Sequence, residues 1–153
     1  MYPIQLNLCN KHVVIVGGGK IAWRKFQGLI DEACRIDVIS PQFYEGFTST
    51  QWPATIRLLQ KEYETGDIAE ADLIIIATDR ADVNDRVVRD ATDHQWVNHT
   101  GDRHQSDFFN TLNVRHDDMT ISISSSGQSI RKTQAYARKI KAYLQTLEED
   151  IHE

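Results

Sequence analysis

A glycine-rich loop between an apolar run and an amphipathic segment carries the clearest chemical signal in the sequence. Residues 17–22 have the spacing G-x-G-x-x-A. The first glycine permits a tight turn, the next lets backbone approach a diphosphate, and the small final residue lets a helix pack closely on a strand. A helix that begins here offers unpaired N–H groups to phosphate oxygens. The predicted cofactor contacts from this dinucleotide-binding loop are Gly17, Gly18, Gly19, Lys20, Ile21 and Ala22.

Two further positions are predicted to contact the same cofactor because they follow other apolar runs. They are Ser40 and the pair Thr78-Asp79. An acidic residue for the adenosine ribose normally follows the second strand of such a fold. Ser40 can hydrogen-bond a ribose hydroxyl, but it discriminates less sharply against a 2′-phosphate. A preference for NAD over NADP therefore does not follow from these residues alone.

The elements that must position these residues are short apolar runs alternating with amphipathic segments. Strands are predicted at residues 12–16, 35–39, 55–59, 73–77 and 96–98, and helices at about 21–30 and 83–91. Runs that are apolar throughout are typical of strands buried on both faces of a parallel sheet. The alternation predicts an α/β fold with a right-handed, doubly wound, Rossmann-like parallel sheet.

The last third of the chain has a different pattern. Residues 119–124 alternate between apolar and polar, which predicts a strand with one polar side. Residues 134–147 form an amphipathic helix with an apolar stripe of Ala137, Ile140, Tyr143, Leu144 and Leu147. We therefore expect two parts, a dinucleotide-binding domain over 1–110 and a smaller region with a C-terminal helix over 111–153.

Composition excludes several classes of function. The net charge of −5 argues against general nucleic-acid binding. No apolar run approaches the roughly 20 residues that cross a bilayer, and the amino terminus lacks signal-peptide features. The two cysteines match no metal spacing, and His94, His99, His104 and His116 lie on predicted loops without a usual ligand pattern. We expect a cytoplasmic protein without a metal site or a membrane partner.

Several stretches together resemble one known family. They are Tyr2-Pro3-Ile4, the loop with Ala22-Trp23-Arg24-Lys25, the segment Asp72 to Asp79 with Val83-Asn84, Val97-Asn98, Asp107-Phe108 and Ile121 to Ser125. In this combination, from residue 2 to about residue 130, the chain resembles the precorrin-2 dehydrogenase and sirohydrochlorin ferrochelatase family, the amino-terminal domain of sirohaem synthases.

The resemblance implies a fold, a reaction and a partner. It implies a homodimer with a Rossmann domain, an intertwined dimerisation region and a helical tail. The implied reaction is the NAD-dependent oxidation of precorrin-2 to sirohydrochlorin, and some members of the family also insert ferrous iron. The chain looks like the short form without a methyltransferase domain, for which dehydrogenation without chelation is the safer expectation.

The catalytic base is where the chain departs from its family. The family places an aspartate three residues after the asparagine of its V-N segment, and here that position is Gly101. Asp102 follows immediately, so either it reaches the site or His99 accepts the proton. A third alternative is release of the proton to water without any essential base.

The substrate would carry many carboxylates, so cations are expected to line its site. The predicted substrate contacts are Arg24, Lys25, Arg103, Ser125, Arg131 and Lys132. Further departures at Thr111 and residues 129–134 lie where substrate is expected.

Those departures leave an alternative from another class, a catalytically altered NAD- or tetrapyrrole-binding sensor of the same fold. A subunit like the NAD-binding domains of ion transporters fits the fold but not the residues after 95.

Overall fold

A five-stranded parallel sheet organises the larger part of the chain. The computed structural model describes the backbone of residues 1–151 and the side chains of residues 1–146. The strands stand in the order β3-β2-β1-β4-β5, and every neighbouring pair is parallel. This confirms the predicted Rossmann-like α/β fold. The strands are β1 (His12–Val16), β2 (Arg35–Ser40), β3 (Ile56–Gln60), β4 (Leu73–Ile76) and β5 (Trp96–His99).

Apolar side chains cover both faces of this sheet, which explains why its strands lack polar alternation. Val13 and Ile15 belong to a core on one face, where Ala22 and Phe26 of a helix pack. Val14 belongs to the core on the other face, with further apolar side chains from a second helix. The helices are α1 (Lys20–Gln27), α2 (Glu45–Thr48) and α3 (Ala81–Asp90), and short 3-10 helices occupy Thr65–Ile68 and Arg103–Gln105.

The chain divides into two compact units. The larger unit is Pro3–Phe108, and the smaller contains Met1–Tyr2 and the chain from Phe109 onward. In the smaller unit, β6 (Leu112–His116) pairs antiparallel with β7 (Met119–Ile123), and α4 (Ile130–Ile151) follows. Val114 of β6 and Ala137 of α4 are buried. Among residues 1–151, no helix has both the length and the apolar character needed to cross a membrane.

The structure differs from the sequence-based expectations at three places. Strand β6 and helix α2 were not predicted, because Leu112 and Val114 alone give β6 a weak apolar alternation and α2 is a single turn. Helix α4 begins four residues earlier than the predicted residue 134. The Ser129 hydroxyl accepts the N–H of Lys132 at 3.2 Å, which extends the helix start backward. Leu147, the last member of the predicted apolar stripe, lies outside the residues whose side chains are described.

Candidate functional site

A cleft of about 570 Å³ opens at the carboxyl ends of the central strands. It is lined by the loop after β1 and by the residues that follow β2, β3 and β4. Strand β1 lies between β2 and β4, so the chain leaves β1 toward one side of the sheet and later returns to the other. Ligands of open α/β sheets bind in the crevice at such a switch point.

Gly17 brings the loop after β1 against the loop after β4. Its φ is +125°, a conformation that side-chain-bearing residues rarely adopt. A Cβ atom at this position would lie 2.3 Å from the carbonyl oxygen of Ala77. The N–H of Gly17 also donates to the carbonyl of Ile39 at 2.8 Å. Glycine is therefore required here for the shape of the cleft floor.

Gly18 allows close approach between the glycine loop and the loop after β2. A Cβ atom there would lie 2.3 Å from the carbonyl oxygen of Gln42 and 2.7 Å from the Ser40 hydroxyl. The N–H of Tyr44 donates to the carbonyl of Gly18 at 2.7 Å. These contacts close residues 41–44 against the glycine loop, so one wall of the cleft is fixed by backbone.

Gly19 faces open space at the start of α1. Within the part of the chain that the structure describes, no atom beyond its chain neighbours lies within 4 Å of the place where its Cβ would stand. Gly19 is the N-cap of α1 and brings no side chain to cap it, and the first turn of α1 carries no acidic residue. The first N–H groups of any helix lack intrahelical partners and attract anions. The shape and polarity of this cradle therefore fit a diphosphate such as that of NAD.

The other predicted cofactor residues have different surroundings. Lys20 and Ile21 line the cleft mouth, and the Lys20 ammonium lies 5.7 Å from the centre of the Tyr44 ring. Ala22 does not line the cleft: it is fully buried beneath the loop and serves helix packing. This burial fits the role of the position, which is close approach of helix and strand, and contact of Ala22 with the cofactor stays a prediction.

Ser40, Thr78 and Asp79 all line the cleft. Ser40 is buried, and its hydroxyl donates to the carbonyl of Gln42 at 2.7 Å, so its proton is already used within the protein. The Thr78 hydroxyl accepts the N–H of Arg80 at 2.8 Å and thereby shapes the turn into α3. Whether Ser40 contacts a ribose stays a prediction.

Sequence reasoning missed a set of cleft residues on the same strand ends. Their signal was position, because each follows the carboxyl end of a predicted strand, where ligands of such sheets bind. They are Pro41, Gln42, Phe43, Tyr44, Glu62, Tyr63 and Arg80.

The two candidate bases are held by local hydrogen bonds. Nδ1 of buried His99 accepts the N–H groups of Gly101 and Asp102 at 3.1 and 3.0 Å, which places the proton of the neutral ring on Nε2. The Asp102 carboxylate accepts from the Gln105 side chain and the His104 N–H, both at 2.8 Å. These bonds lower the pKa of Asp102. Local hydrogen bonds thus engage both Asp102 oxygens and Nδ1 of His99, and neither residue lines the cleft, so their catalytic role stays a prediction.

The basic residues predicted to contact substrate differ in exposure: one is largely buried and the others are exposed. The Lys25 ammonium donates to the Asn98 side chain at 2.8 Å, and burial, assisted by neighbouring Arg24, lowers the pKa of Lys25 to about 8. Lys25 thus ties α1 to β5 instead of facing water. Arg24 and Arg103 are exposed on the larger unit.

On the smaller unit, Arg131 and Lys132 line a shallow groove together with Arg138. Ser125 accepts the N–H of Ser129 at 3.0 Å and the Thr133 hydroxyl at 3.2 Å, so it supports the start of α4. Substrate contact by these residues stays a prediction.

Comparison with known proteins relates the chain to a group of biosynthetic proteins. A family model described as "Putative NAD(P)-binding" matches residues 4–111. A precorrin-2 dehydrogenase of Bacillus subtilis (strain 168) is 31% identical over 140 residues, which cover 92% of this chain and 86% of that protein. Siroheme synthase 1 of Aeromonas salmonicida (strain A449) is 31% identical over 143 residues, 93% of this chain but 31% of that protein.

A solved structure supports the fold independently. SirC, a precorrin-2 dehydrogenase, aligns with a TM-score of 0.84 at 24% identity, over 97% of this chain and 76% of that one. The chain therefore spans most of the shorter relatives and about a third of the siroheme synthases.

Proposed function

The chain belongs to the precorrin-2 dehydrogenase family, and we propose that it oxidises precorrin-2 to sirohydrochlorin with NAD as the hydride acceptor in sirohaem biosynthesis. The observation that carries this proposal is the cleft, where the uncapped start of α1 and the open face of Gly19 fit a diphosphate. The reaction removes a hydride and a proton from the macrocycle and yields sirohydrochlorin, NADH and H⁺. The cofactor, when bound, supplies the electron acceptor.

The chain's own residues would bind the cofactor and orient it. Backbone N–H groups of residues 19–22 would hold the diphosphate, while Gly17 and Gly18 let the neighbouring loops approach. Pro41 and Tyr63 would bound the adenosine end, since they line the cleft beyond β2 and β3. Orientation of this kind accounts for much of the acceleration that an enzyme gives to hydride transfer.

We assign the proton to Asp102, directly or through water. Its carboxylate is partly exposed and its oxygens can each accept a further hydrogen bond, whereas His99 is buried and its Nδ1 already accepts two backbone N–H groups. Each unit carries exposed cations that could bind carboxylates of the macrocycle, Arg24 and Arg103 on the larger unit and Arg131 and Lys132 on the smaller.

We further propose a cytoplasmic homodimer. Large apolar side chains of the smaller unit are exposed, namely Met119, Ile130, Tyr136 and Tyr143. Exposed apolar groups of this kind favour association with a second copy. Light scattering coupled to gel filtration measures the mass directly.

The decisive experiment supplies purified protein with NAD and enzymatically made precorrin-2. We expect NADH formation together with the absorbance change of a more conjugated macrocycle. Gly19→Asp should abolish both, because its carboxylate would enter the diphosphate cradle. Gly66→Asp is the matched control, since the Cβ position of Gly66 also has open space around it among the described residues and Gly66 does not line the cleft. Ferrous iron added to the product reports whether the chain also inserts metal.

One observation favours a second candidate, an NAD-dependent sensor without turnover. Gly101 stands where the family resemblance expects an aspartate, and a Cβ there would lie 3.3 Å from His99 Cε1. Saturable NAD binding with no oxidation of precorrin-2 would favour the sensor. Oxidation that survives Asp102→Asn would remove Asp102 from the mechanism while leaving the enzyme.

A further inference from the structure

The residue that would normally select NAD over NADP is missing from its usual position. In Rossmann folds an acid after the second strand binds the ribose hydroxyls and repels a 2′-phosphate. Here that position holds buried Ser40, whose hydroxyl proton is donated to Gln42. Selection between the cofactors must therefore come from another group in the cleft.

Strand pairing brings Glu62 to the neighbouring position. Strands β2 and β3 are in register through Ser40 and Gln60. The pairing continues one step beyond the sheet, because the N–H of Lys61 donates to the carbonyl of Ser40 at 3.2 Å. Glu62 is the next residue, and it lines the cleft. The Glu62 carboxylate, which follows β3, therefore lies beside the end of β2.

The surrounding cations do not reverse the negative charge of this edge. Arg80 lies across the cleft and contacts Glu62 at 3.0 Å, but it also contacts Asp82 at 2.8 Å. One guanidinium therefore serves two carboxylates. Lys61 is held by Glu64 and Asp67, at 2.7 and 3.0 Å, and does not line the cleft. Among the described residues that line the cleft, the other cation is Lys20 at the start of α1, so the edge beside β2 and β3 offers a carboxylate whose neighbouring cation, Arg80, is shared with Asp82.

We propose that Glu62 is the residue by which this chain selects NAD over NADP, with Arg80 positioning its carboxylate. The inference rests on the proposed function, that this cleft binds the dinucleotide. A 2′-phosphate would bring additional negative charge toward Glu62, whereas the bare ribose of NAD would meet a hydrogen-bond acceptor. The acid that is usually placed after β2 is thereby supplied from β3.

The test measures dissociation constants of NADH and NADPH by fluorescence titration of the full chain. Wild type should bind NADH more tightly. Glu62→Gln should improve NADPH binding relative to NADH roughly tenfold, by removing one repulsive charge. Arg80→Gln should shift the ratio in the opposite direction, because Glu62 then loses its compensating cation. Glu64→Gln is the control, a similar ion-paired glutamate outside the cleft, and it should leave the ratio unchanged.

Several outcomes would overturn the inference. Wild-type preference for NADPH would show that Arg80 serves the 2′-phosphate instead. Equal changes for both cofactors in Glu62→Gln and Arg80→Gln would show that the pair only holds two loops together. Should Glu62→Gln fold poorly by thermal melting, Glu62→Arg tests the same charge with a larger expected shift. Absence of any dinucleotide binding by wild type would instead refute the proposed function, and this inference with it.

Discussion

The two ends of the parallel sheet differ in whether their polar groups have hydrogen-bond partners within the protein. Near the amino ends of the strands, buried Asp37 accepts from Nε2 of His12 at 2.8 Å and from Nε of Arg57 at 2.7 Å. Asp72 accepts both the His12 N–H and the Lys11 ammonium, each at 2.8 Å. At the carboxyl ends, α1 begins at Gly19, which brings no capping side chain and faces open space among the described residues.

This difference separates stability from binding. Carboxylates whose hydrogen bonds are satisfied inside the protein stabilise the fold and offer little to a ligand. Backbone N–H groups left without an internal partner are available to an anion. Substitutions at the amino end should therefore change the free energy of unfolding, and substitutions at the carboxyl end should change cofactor affinity.

Gly17→Ala should have the largest effect. It lies at the carboxyl end of the sheet, yet it should change both the free energy of unfolding and the cofactor affinity. The new Cβ would lie 2.3 Å from the Ala77 carbonyl at a φ of +125°. We expect the free energy of unfolding in urea to fall by more than about 3 kcal/mol, with loss of NAD binding. Gly19→Ala is the control, because its Cβ meets no atom within 4 Å. Equal stability of the two variants would contradict the close packing at Gly17.

Asp37→Asn should affect stability alone. It leaves His12 and Arg57 facing a neutral amide in a buried position, which should lower the free energy of unfolding by about 3 kcal/mol. The dissociation constant of NAD, measured where the variant remains folded, should change less than about twofold, because Asp37 does not line the cleft. A large loss of affinity would show that the two ends are coupled.

Sequence patterns predicted the larger unit well because its signals are local. Apolar runs define the strands, and the glycine spacing defines the loop between β1 and α1. The pattern could not show that the Ser40 hydroxyl is used by Gln42, nor that Glu62 meets Arg80, since both contacts depend on how separate loops approach one another. The burial of Lys25 against Asn98 was missed for the same reason.

Acid should weaken the amino end gradually. Burial alone would raise the pKa of Asp37, but hydrogen bonds from Arg57 and His12 outweigh it and lower the pKa below the usual value. A carboxyl with a lowered folded pKa contributes stability that is complete above the unfolded value of about 3.9 and is lost as pH falls through the folded pKa. The urea concentration at the unfolding midpoint should therefore decrease as the pH is lowered below about 4. The decrease should be less steep in Asp37→Asn. Identical slopes would contradict the assigned ionisation.

Lys20→Gln should have a small effect on NAD affinity alone, and it therefore tests the comparison between the two ends of the sheet most finely. Lys20 is exposed at the start of α1, where its ammonium adds to the field that attracts a diphosphate. Solvent screens such a charge, so we expect the dissociation constant of NAD to rise about threefold at low salt. The difference should vanish at high salt, with the free energy of unfolding unchanged.

Lys11→Gln is the counterpart of this variant at the other end of the sheet. The Lys11 side chain is 48% exposed and pairs with Asp72 at 2.8 Å. Its removal should cost at most about 1 kcal/mol of stability and leave NAD affinity unaltered. If Lys11→Gln weakened NAD binding as much as Lys20→Gln, the loss would reflect a more negative net charge of the whole protein and not the position of the lysine. A loss confined to Lys20→Gln would locate the attraction at the start of α1, because both variants remove the same charge and only Lys20 lines the cleft.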